Sequence, residues 1–404
     1  MKRKLPELVA PAGDWSALRS AVAAGCDGVY FGIKGLNMRQ GAANFQLLEI
    51  KKIVDYLHKN NKKAYLALNV IVYNDELDKV ERILKQAKQS KVDSVILWDM
   101  AVLRLAKKHK LKIHLSTQAS ISNIEALKFF YQQGAERVVL ARECTLKEIK
   151  KISSGIKKSR LSCSIEAFVH GAMCVSLSGR CFLSQETFDK SANRGECLQP
   201  CRRAFRITDV DNQSEYILGN QYLLSPKDLC TISILDKLIE SGIDAFKIEG
   251  RNRSPEYVSV VTAAYRKAID AYANNKLTPY LKSKLINEVK TVYNRGFDKG
   301  FYLGGPGKLG GVVEKSHIKE YIGEVTKYYK KINVAEILIR KGPLRVNDRI
   351  LITGKNTPAN FMQVKELQIE HNQVMEVLKG KRCGIKVGFK VNPKDKVFLY
   401  KVIS

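Results

Sequence analysis

The sequence has no long hydrophobic run, because no stretch approaches the roughly 18 unbroken apolar residues that a membrane span requires. The opening Met-Lys-Arg-Lys is followed by Pro6 and Glu7 rather than by the apolar core of a signal peptide. Nine cysteines, an odd number, argue against a disulfide framework. We therefore expect a soluble cytoplasmic protein, with no membrane partner and with reduced thiols.

Common hydrolase and nucleotide-binding signatures are also missing. The chain contains neither HExxH nor GxSxG, so the usual zinc-peptidase and serine-hydrolase motifs are excluded. The glycine-rich segment GGPGKLGG at 304–311 lacks the Gly-Lys-Ser/Thr ending of a P-loop. A nucleotide-binding cradle of that type is therefore not expected.

Acidic residues are few relative to basic ones. The chain has 69 Lys and Arg against 40 Asp and Glu, which gives a net charge of +29. Such an excess attracts polyanions and favours a nucleic-acid partner, although charge alone does not distinguish DNA from RNA. The alternative is a set of lysine-rich helix faces that are simply solvated.

Cysteines, in contrast, are concentrated in one short segment. Cys174, Cys181, Cys197 and Cys201 follow the spacing C-x6-C-x15-C-x3-C, and Cys230 follows in SPKDLC. Four thiolates complete a tetrahedral zinc site or hold one iron–sulfur cubane. The intervening glycines and proline predict a loop, which disfavours the alternative of small buried hydrophobic side chains. The segment therefore predicts a metal site, with zinc and a [4Fe-4S] cluster both open.

Strand-like and helix-like segments alternate over the first 250 residues, which predicts an α/β domain with parallel strands. Eight such strands close a TIM-type (β/α)8 barrel, and an open doubly wound sheet is the alternative. We predict a barrel over 1–310, a Cys-rich loop over 170–230 and a small C-terminal β-barrel over 316–404. The eight predicted strands are 7–13, 28–32, 63–72, 94–99, 112–118, 137–143, 161–171 and 245–251.

Active sites of such barrels lie at the C-terminal ends of the strands. Glu166 and His170 end the seventh predicted strand, and Lys247, Glu249 and Arg251 end the eighth. The Cys-rich loop is then an insertion between these two strands, on the catalytic face. We take these five residues as candidate catalytic residues.

Several motifs together resemble the collagenase-like peptidase family U32. They are PAGDWSALRSAVAAGCDGVYFG, MRQGAANF, HGAMC-x6-C, RGEC-x2-PC, SPKDLC and FKIEGR, and the resemblance covers about residues 5–310. Members are named as peptidases, but several are anaerobic-type hydroxylation proteins that carry a [4Fe-4S] cluster. These act on the wobble uridine of tRNA, on a ribosomal RNA cytidine or on the ubiquinone ring. The resemblance therefore implies an RNA-modifying enzyme, with tRNA or another RNA rather than DNA as its partner.

The tRNA-directed members imply prephenate as the oxygen donor. A dicarboxylate of this kind is best bound by arginine side chains, for which Arg39, Arg142, Arg194 and Arg251 are the candidates. Lys247 adds a point charge. For each arginine the alternative is an ion pair within the barrel rim.

The family motif implies that Cys174, Cys181, Cys197 and Cys201 hold the metal, although some relatives use a later cysteine that Cys230 matches. A collagenase-like peptidase with structural zinc remains an alternative, since His170 and Cys174 are spaced like a Cys–His dyad. A thiolate that binds metal is, however, not a free nucleophile. A non-enzymatic RNA-binding scaffold and a required partner subunit also stay open. The remaining cysteines are isolated and are expected to be structural: Cys26, Cys144, Cys163 and Cys383.

Overall fold

The computed structural model describes residues 5–176, 180–203, 206–208, 211, 215–217, 224–305 and 316–403. Strands and helices are numbered in chain order. Eight parallel strands form a ring, because the last of them pairs with both the first and the seventh. The closed barrel is thus confirmed, and the open doubly wound alternative is wrong. The strands are β1 (Glu7–Ala12), β2 (Gly28–Gly32), β3 (Lys63–Ala67), β4 (Ser94–Leu97), β5 (Ile113–Leu115), β6 (Ala135–Val139), β7 (Ser164–Gly171) and β11 (Ala245–Ile248).

Helices cover the outside of this ring. Their starts follow from capping side chains: Asp14 accepts a hydrogen bond from the Ala17 amide (2.8 Å), and Asp99 caps the fourth helix in the same way. One continuous apolar core lies between strands and helices. The helices are α1 (Trp15–Ala23), α2 (Ile50–Lys59), α3 (Leu77–Gln89), α4 (Met100–Lys108), α5 (Ile124–Gln132), α6 (Leu146–Lys158), α8 (Leu235–Glu240), α9 (Pro255–Ala273) and α10 (Pro279–Lys290).

The insertion between β7 and β11 carries the cysteine-rich segment. It contains one short helix, α7 (Leu183–Phe188), and a small hairpin of β8 (Arg206–Thr208) and β9 (Glu215–Ile217). Its last strand, β10 (Asp228–Cys230), pairs antiparallel with the end of β7 and parallel with β12 (Phe297–Asp298). The insertion therefore returns to the sheet beside the C-terminal end of β7, which keeps it over the mouth of the barrel.

The C-terminal region is an antiparallel β domain with its own apolar core. Its described strands pair in the order β17-β16-β22-β13-β14-β21-β18-β19, with β15 and β20 as a separate pair. The glycine-rich segment at 304–311 precedes this domain, and its part from 306 onward lies outside the described residues. The strands are β13 (His317–Tyr329), β14 (Val334–Ile339), β15 (Leu344–Arg345), β16 (Arg349–Gly354), β17 (Thr357–Gln363), β18 (Leu367–Ile369), β19 (Asn372–Val374), β20 (Glu376–Val377), β21 (Arg382–Lys386) and β22 (Lys396–Val402).

The C-terminal domain packs against α1 and α9. The Ala359 amide donates a buried hydrogen bond to Ser20 Oγ (2.9 Å), and the hydroxyls of Ser16 and Thr353 lie 2.8 Å apart. These contacts join the domain to the first helix of the barrel.

Candidate active site

A cavity of about 460 Å³ lies at the C-terminal ends of the barrel strands. Its floor is formed by side chains from the barrel interior, among them Tyr30 of β2, Phe168 of β7 and Lys247 of β11. Its cover is the insertion that follows β7. Barrel and insertion therefore enclose one chamber, as the predicted position of the cysteine loop on the catalytic face requires.

The four predicted metal-binding cysteines all line this chamber. Cys174, Cys181, Cys197 and Cys201 lie along the wall that the insertion contributes. Burial, followed by the effects of neighbouring groups that include the Cys174 thiol, raises the pKa of Cys197 and of Cys201 above the ordinary value. In the described part of the chain, no three or more His, Cys, Asp or Glu side chains form a ready-made site for a metal ion. The four thiols nevertheless share one wall of the chamber.

Two contacts fasten the cysteine segment to the neighbouring strand loops. The Arg194 guanidinium forms an ion pair with Glu76 at the start of the α3 region, with one N–O distance of 2.8 Å. The Gln40 amide donates to the carbonyl of Gly195 (3.0 Å). Gly195 has φ +86°, and a Cβ there would lie 2.2 Å from the Asn37 carbonyl oxygen. Glycine is therefore required where the two loops touch.

Arg194, a predicted donor-binding residue, does not line the chamber. Both of its terminal nitrogens donate to Glu76, so Arg194 holds the cysteine segment against the loop that precedes α3.

Two other predicted arginines bracket one carboxylate at the chamber wall. Arg39 Nε lies 3.2 Å from one oxygen of Glu249, and Arg142 Nη2 lies 3.7 Å from the other. Burial alone would raise the pKa of Glu249, but the arginine charges outweigh it and hold that pKa below the ordinary value. Glu249 is thus an anion that orients two arginines toward the chamber.

Arg251 is a chamber cation with unused hydrogen-bonding capacity, and so is Arg142, whose buried Nε has no partner among the described residues. Arg251 is 4 % exposed, lines the chamber, and its buried Nη1 has no hydrogen-bond partner among the described residues. Burial is the largest cause that lowers its pKa, to about 10, so the guanidinium stays charged at neutral pH. A Cβ on Gly32 would lie 2.2 Å from this Nη1. The glycine therefore leaves the space that the guanidinium occupies.

A row of alternating charges runs through the barrel interior beneath the chamber. Lys247 Nζ lies 2.7 Å from Glu166 Oε1, and the other oxygen of Glu166 accepts from Arg137 (3.1 Å). Arg137 also pairs with Glu7 (3.0 Å), which binds the partly exposed Lys63. Glu166 does not itself line the chamber, whereas Lys247 does. Glu166, a predicted catalytic residue, therefore positions Lys247 from beneath the chamber.

His170 and Cys230 also lie outside the chamber lining. The His170 ring is buried among Tyr257, Tyr265 and Phe297, and burial, with the charge of Arg253, lowers its pKa to about 3. It is therefore neutral and packed. Cys230 is buried on β10, and burial raises its pKa to about 11. The structure thus separates the fifth thiol from the four that share the chamber wall.

The four cysteines expected to be structural are all buried. Burial raises the pKa of Cys26, Cys163 and Cys383 to about 12 and that of Cys144 to about 11. High thiol pKa values keep these side chains protonated and unreactive.

Many chamber residues were not among the predicted site residues, and three of them carry a guanidinium or an aromatic ring close to the predicted cysteines or Lys247. Arg202 directly follows Cys201, so its position in the PCRR motif was an available signal. Arg295 comes from the segment after α10 and is fixed by Asp228 (2.6 Å). Tyr30 lies with its ring centroid 4.6 Å from Lys247 Nζ. Arg295 and Tyr30 lie far from the cysteine segment in the sequence, and no motif indicated that they line the chamber.

No helix in the described ranges has the length and apolar character to cross a membrane.

Comparisons with known proteins place the chain in a family. The model of peptidase family U32 matches residues 13–310. An uncharacterized protease of Methanocaldococcus jannaschii is 42% identical over 98% of both chains, and a collagenase of Porphyromonas gingivalis is 38% identical over 98% of this chain and 97% of its own. A Bacillus subtilis protein named tRNA hydroxylation protein P1 is 35% identical over 80% of this chain and 78% of its own. The chain therefore belongs to peptidase family U32.

Proposed function

We propose that the protein is an RNA-modifying enzyme that hydroxylates carbon 5 of the wobble uridine in tRNA. A carboxylate-bearing donor such as prephenate would supply the oxygen. The support from relatives is the tRNA hydroxylation protein that aligns with four fifths of this chain. The support from geometry is one observation: the chamber is lined by four thiols and by the buried guanidinium of Arg251, whose Nη1 has no hydrogen-bond partner among the described residues.

The donor set of the chamber wall suits a [4Fe-4S] cluster, because four thiols line one wall and each cysteine of a cubane binds a different iron. Cys174, Cys181, Cys197 and Cys201 would hold the cluster, which supplies electron transfer beside the chamber when bound.

Residues of the chamber would bind and orient the donor. A dianion needs cations that are not already neutralised, and Arg251 offers one N–H group with no described partner. Lys247, on β11, adds a second positive charge, and its ion pair with Glu166 orients its side chain. Arg39 and Arg142, which share the single negative charge of Glu249, would complete the set. Enclosure by the cysteine segment would exclude water and strengthen these electrostatic contacts.

The RNA substrate suits both the charge of the chain and the position of the chamber. A net charge of +29 favours contact with phosphates. A base must leave its stack to reach a chamber inside the barrel mouth, and the bases of a single-stranded anticodon loop can be splayed out in this way.

Proteolysis is the second candidate, because the collagenase of P. gingivalis aligns over almost the whole chain. The chamber offers it little support. The predicted Cys–His dyad would need an imidazole within reach of Cys174, and His170 is instead enclosed by three aromatic rings and does not line the chamber.

Nucleoside mass spectrometry of tRNA from a strain that lacks this gene and any paralogue tests the proposal. We expect 5-hydroxyuridine derivatives to disappear and to return with the wild-type gene but not with an Arg251→Ala variant. Unchanged tRNA nucleosides together with altered ribosomal RNA nucleosides would indicate that ribosomal RNA is the substrate. Unchanged RNA together with cleavage of a collagen peptide by the purified protein would favour proteolysis.

A further inference from the structure

The rim of the chamber presents large apolar side chains to solvent. Tyr73, in the loop after β3, is 56% exposed, and Phe182, beside Cys181, is 76% exposed. Leu198, beside Cys197, is also exposed. Trp98 directly follows β4 and is half-buried. Leu198 lines the chamber, and Phe182 lies between the lining residues Cys181 and Leu183. Tyr73 and Trp98 follow the C-terminal ends of β3 and β4, which face the same side of the barrel. Exposed apolar groups gathered at one opening indicate a binding surface.

Guanidinium groups lie against two of these rings. The Arg180 guanidinium lies 5.0 Å from the centroid of Trp98, and its Nη2 donates to the carbonyl of Gln118, a chamber residue (2.7 Å). The Arg194 guanidinium lies 4.7 Å from the centroid of Tyr73. Rings and cations therefore alternate at the entrance to the chamber.

We infer that this rim binds a single-stranded RNA segment by stacking its bases on Tyr73, Trp98, Arg180 and Phe182. Bases stack on aromatic rings and on guanidinium planes, and nearby cations hold the phosphates. The guanidinium of Arg180 and the net charge of +29 over the chain complement that polyanion. The inference rests on the proposed function for its choice of RNA, and adds the surface that holds the nucleotides flanking the reactive base.

Equilibrium binding tests the rim without depending on catalysis. Full-length protein is prepared without air, and the anisotropy of a labelled, short single-stranded oligouridine is measured at constant salt. Tyr73→Ala, Arg180→Ala and Phe182→Ala should each weaken binding by roughly 5- to 100-fold, because stacking contributes about 1–3 kcal/mol per base. The affinity for a duplex RNA of equal length should change less in these variants, since its bases are already stacked on one another.

Matched controls come from exposed residues on the outer helices. Tyr280 on α10, Phe129 on α5 and Arg104 on α4 are exposed and lie away from the chamber lining. Their replacement by Ala should leave oligouridine affinity unchanged. Iron content and circular dichroism of every variant should match the wild type, which separates lost stacking from lost folding.

Tryptophan fluorescence gives a second readout. The chain has two tryptophans, and Trp15 is buried with its indole nitrogen donating to Glu49 (2.7 Å). Quenching on addition of oligouridine should therefore report on Trp98, and Trp98→Phe should abolish the quenching while most of the affinity remains.

The outcomes separate the rim from the reaction. Rim variants that bind oligouridine as tightly as the wild type overturn the inference. It is equally overturned if a proline-rich peptide, and not RNA, binds in a rim-dependent way. Rim-dependent RNA binding with unchanged tRNA nucleosides in the deletion strain would support the surface and refute the proposed reaction.

Discussion

Lys247 Nζ lies 2.7 Å from Glu166 Oε1, on two adjacent strands that close the barrel. Lys247 faces the chamber, while Glu166 lies beneath it and shares its second oxygen with Arg137. One buried carboxylate therefore joins the cation at the chamber floor to the charged interior of the barrel.

Glu166→Gln should destabilise the protein by about 3–5 kcal/mol, because it leaves the charge of Lys247 buried without its anion and removes one of the two carboxylates that Arg137 binds. Chemical denaturation at neutral pH measures the change. The control is Glu125→Gln on α5, whose side chain is 75% exposed beside Lys128, and which should cost less than about 1 kcal/mol. Equal effects of the two substitutions would contradict the structural role of Glu166.

The same pair predicts a pH dependence. Lys247 and Arg137 outweigh burial and lower the pKa of Glu166 below its ordinary value of 4.5. The resulting stability is present above 4.5 and is lost as pH falls through the lowered pKa of the folded state. The difference between wild type and Glu166→Gln should therefore narrow in acid, as unfolding curves over a pH series would show. A constant difference would refute this electrostatic origin.

Gly32→Ala should reduce donor affinity by roughly 10- to 100-fold, the effect of losing a hydrogen bond to a charged group. The added Cβ would lie 2.2 Å from Arg251 Nη1, and the flexible guanidinium would move away from it. Titration calorimetry with prephenate measures the affinity. Gly388→Ala, where a Cβ meets nothing within 4 Å, is the control and should bind as the wild type does.

Cys174→Ala or Cys181→Ala should abolish iron binding in protein prepared without air. Cys230→Ala and Cys26→Ala should retain it, because both side chains are buried away from the chamber wall. Iron, zinc and sulfide analysis gives the result. A colourless wild-type protein with one zinc would refute the cluster. Loss of iron in Cys230→Ala would indicate that Cys230 is a cluster ligand.

Arg194→Ala should loosen the cysteine segment without weakening donor binding. Its guanidinium binds Glu76 and does not line the chamber. Limited proteolysis should cleave the segment around 172–203 several-fold faster, and Glu76→Gln should behave alike because it removes the same ion pair. A large loss of prephenate affinity with unchanged proteolysis would instead support the predicted donor role.

RNA affinity should fall steeply with salt, by about 10³- to 10⁵-fold between 50 and 200 mM if six to ten phosphates are contacted. Deletion of residues from 316 onward should weaken tRNA binding more than it lowers the iron content. The barrel should keep its iron because the C-terminal domain has a core of its own. Filter binding and iron analysis on the same preparations decide this. A truncated barrel that binds tRNA as tightly as the full chain would assign binding to the barrel alone.

Much of the architecture followed from local sequence pattern. Short apolar segments separated by amphipathic ones predicted eight strands, and the capping role of Asp14 was readable from its position before α1. The ring closes through hydrogen bonds between β11 and both β1 and β7. Strand number predicted this closure because eight tilted strands complete a barrel.

The partners of the charged side chains were not readable in this way. Arg194 and Arg251 are both arginines near predicted site motifs, yet one meets Glu76 and the other keeps a buried nitrogen without a described partner. His170 occupies a conspicuous motif and is packed among rings from β12 and α9 or their flanks. Each outcome depends on residues far away in the chain.

The sequence by itself determined the barrel, the position of the cysteine segment between its last two strands and the basic character of the chain, because periodicity, spacing and charge are local or additive properties. Only the tertiary structure decided which thiols share a wall and which cations remain available. Those properties depend on burial and on distances between residues that lie far apart in the sequence, as Gly32 and Arg251 illustrate.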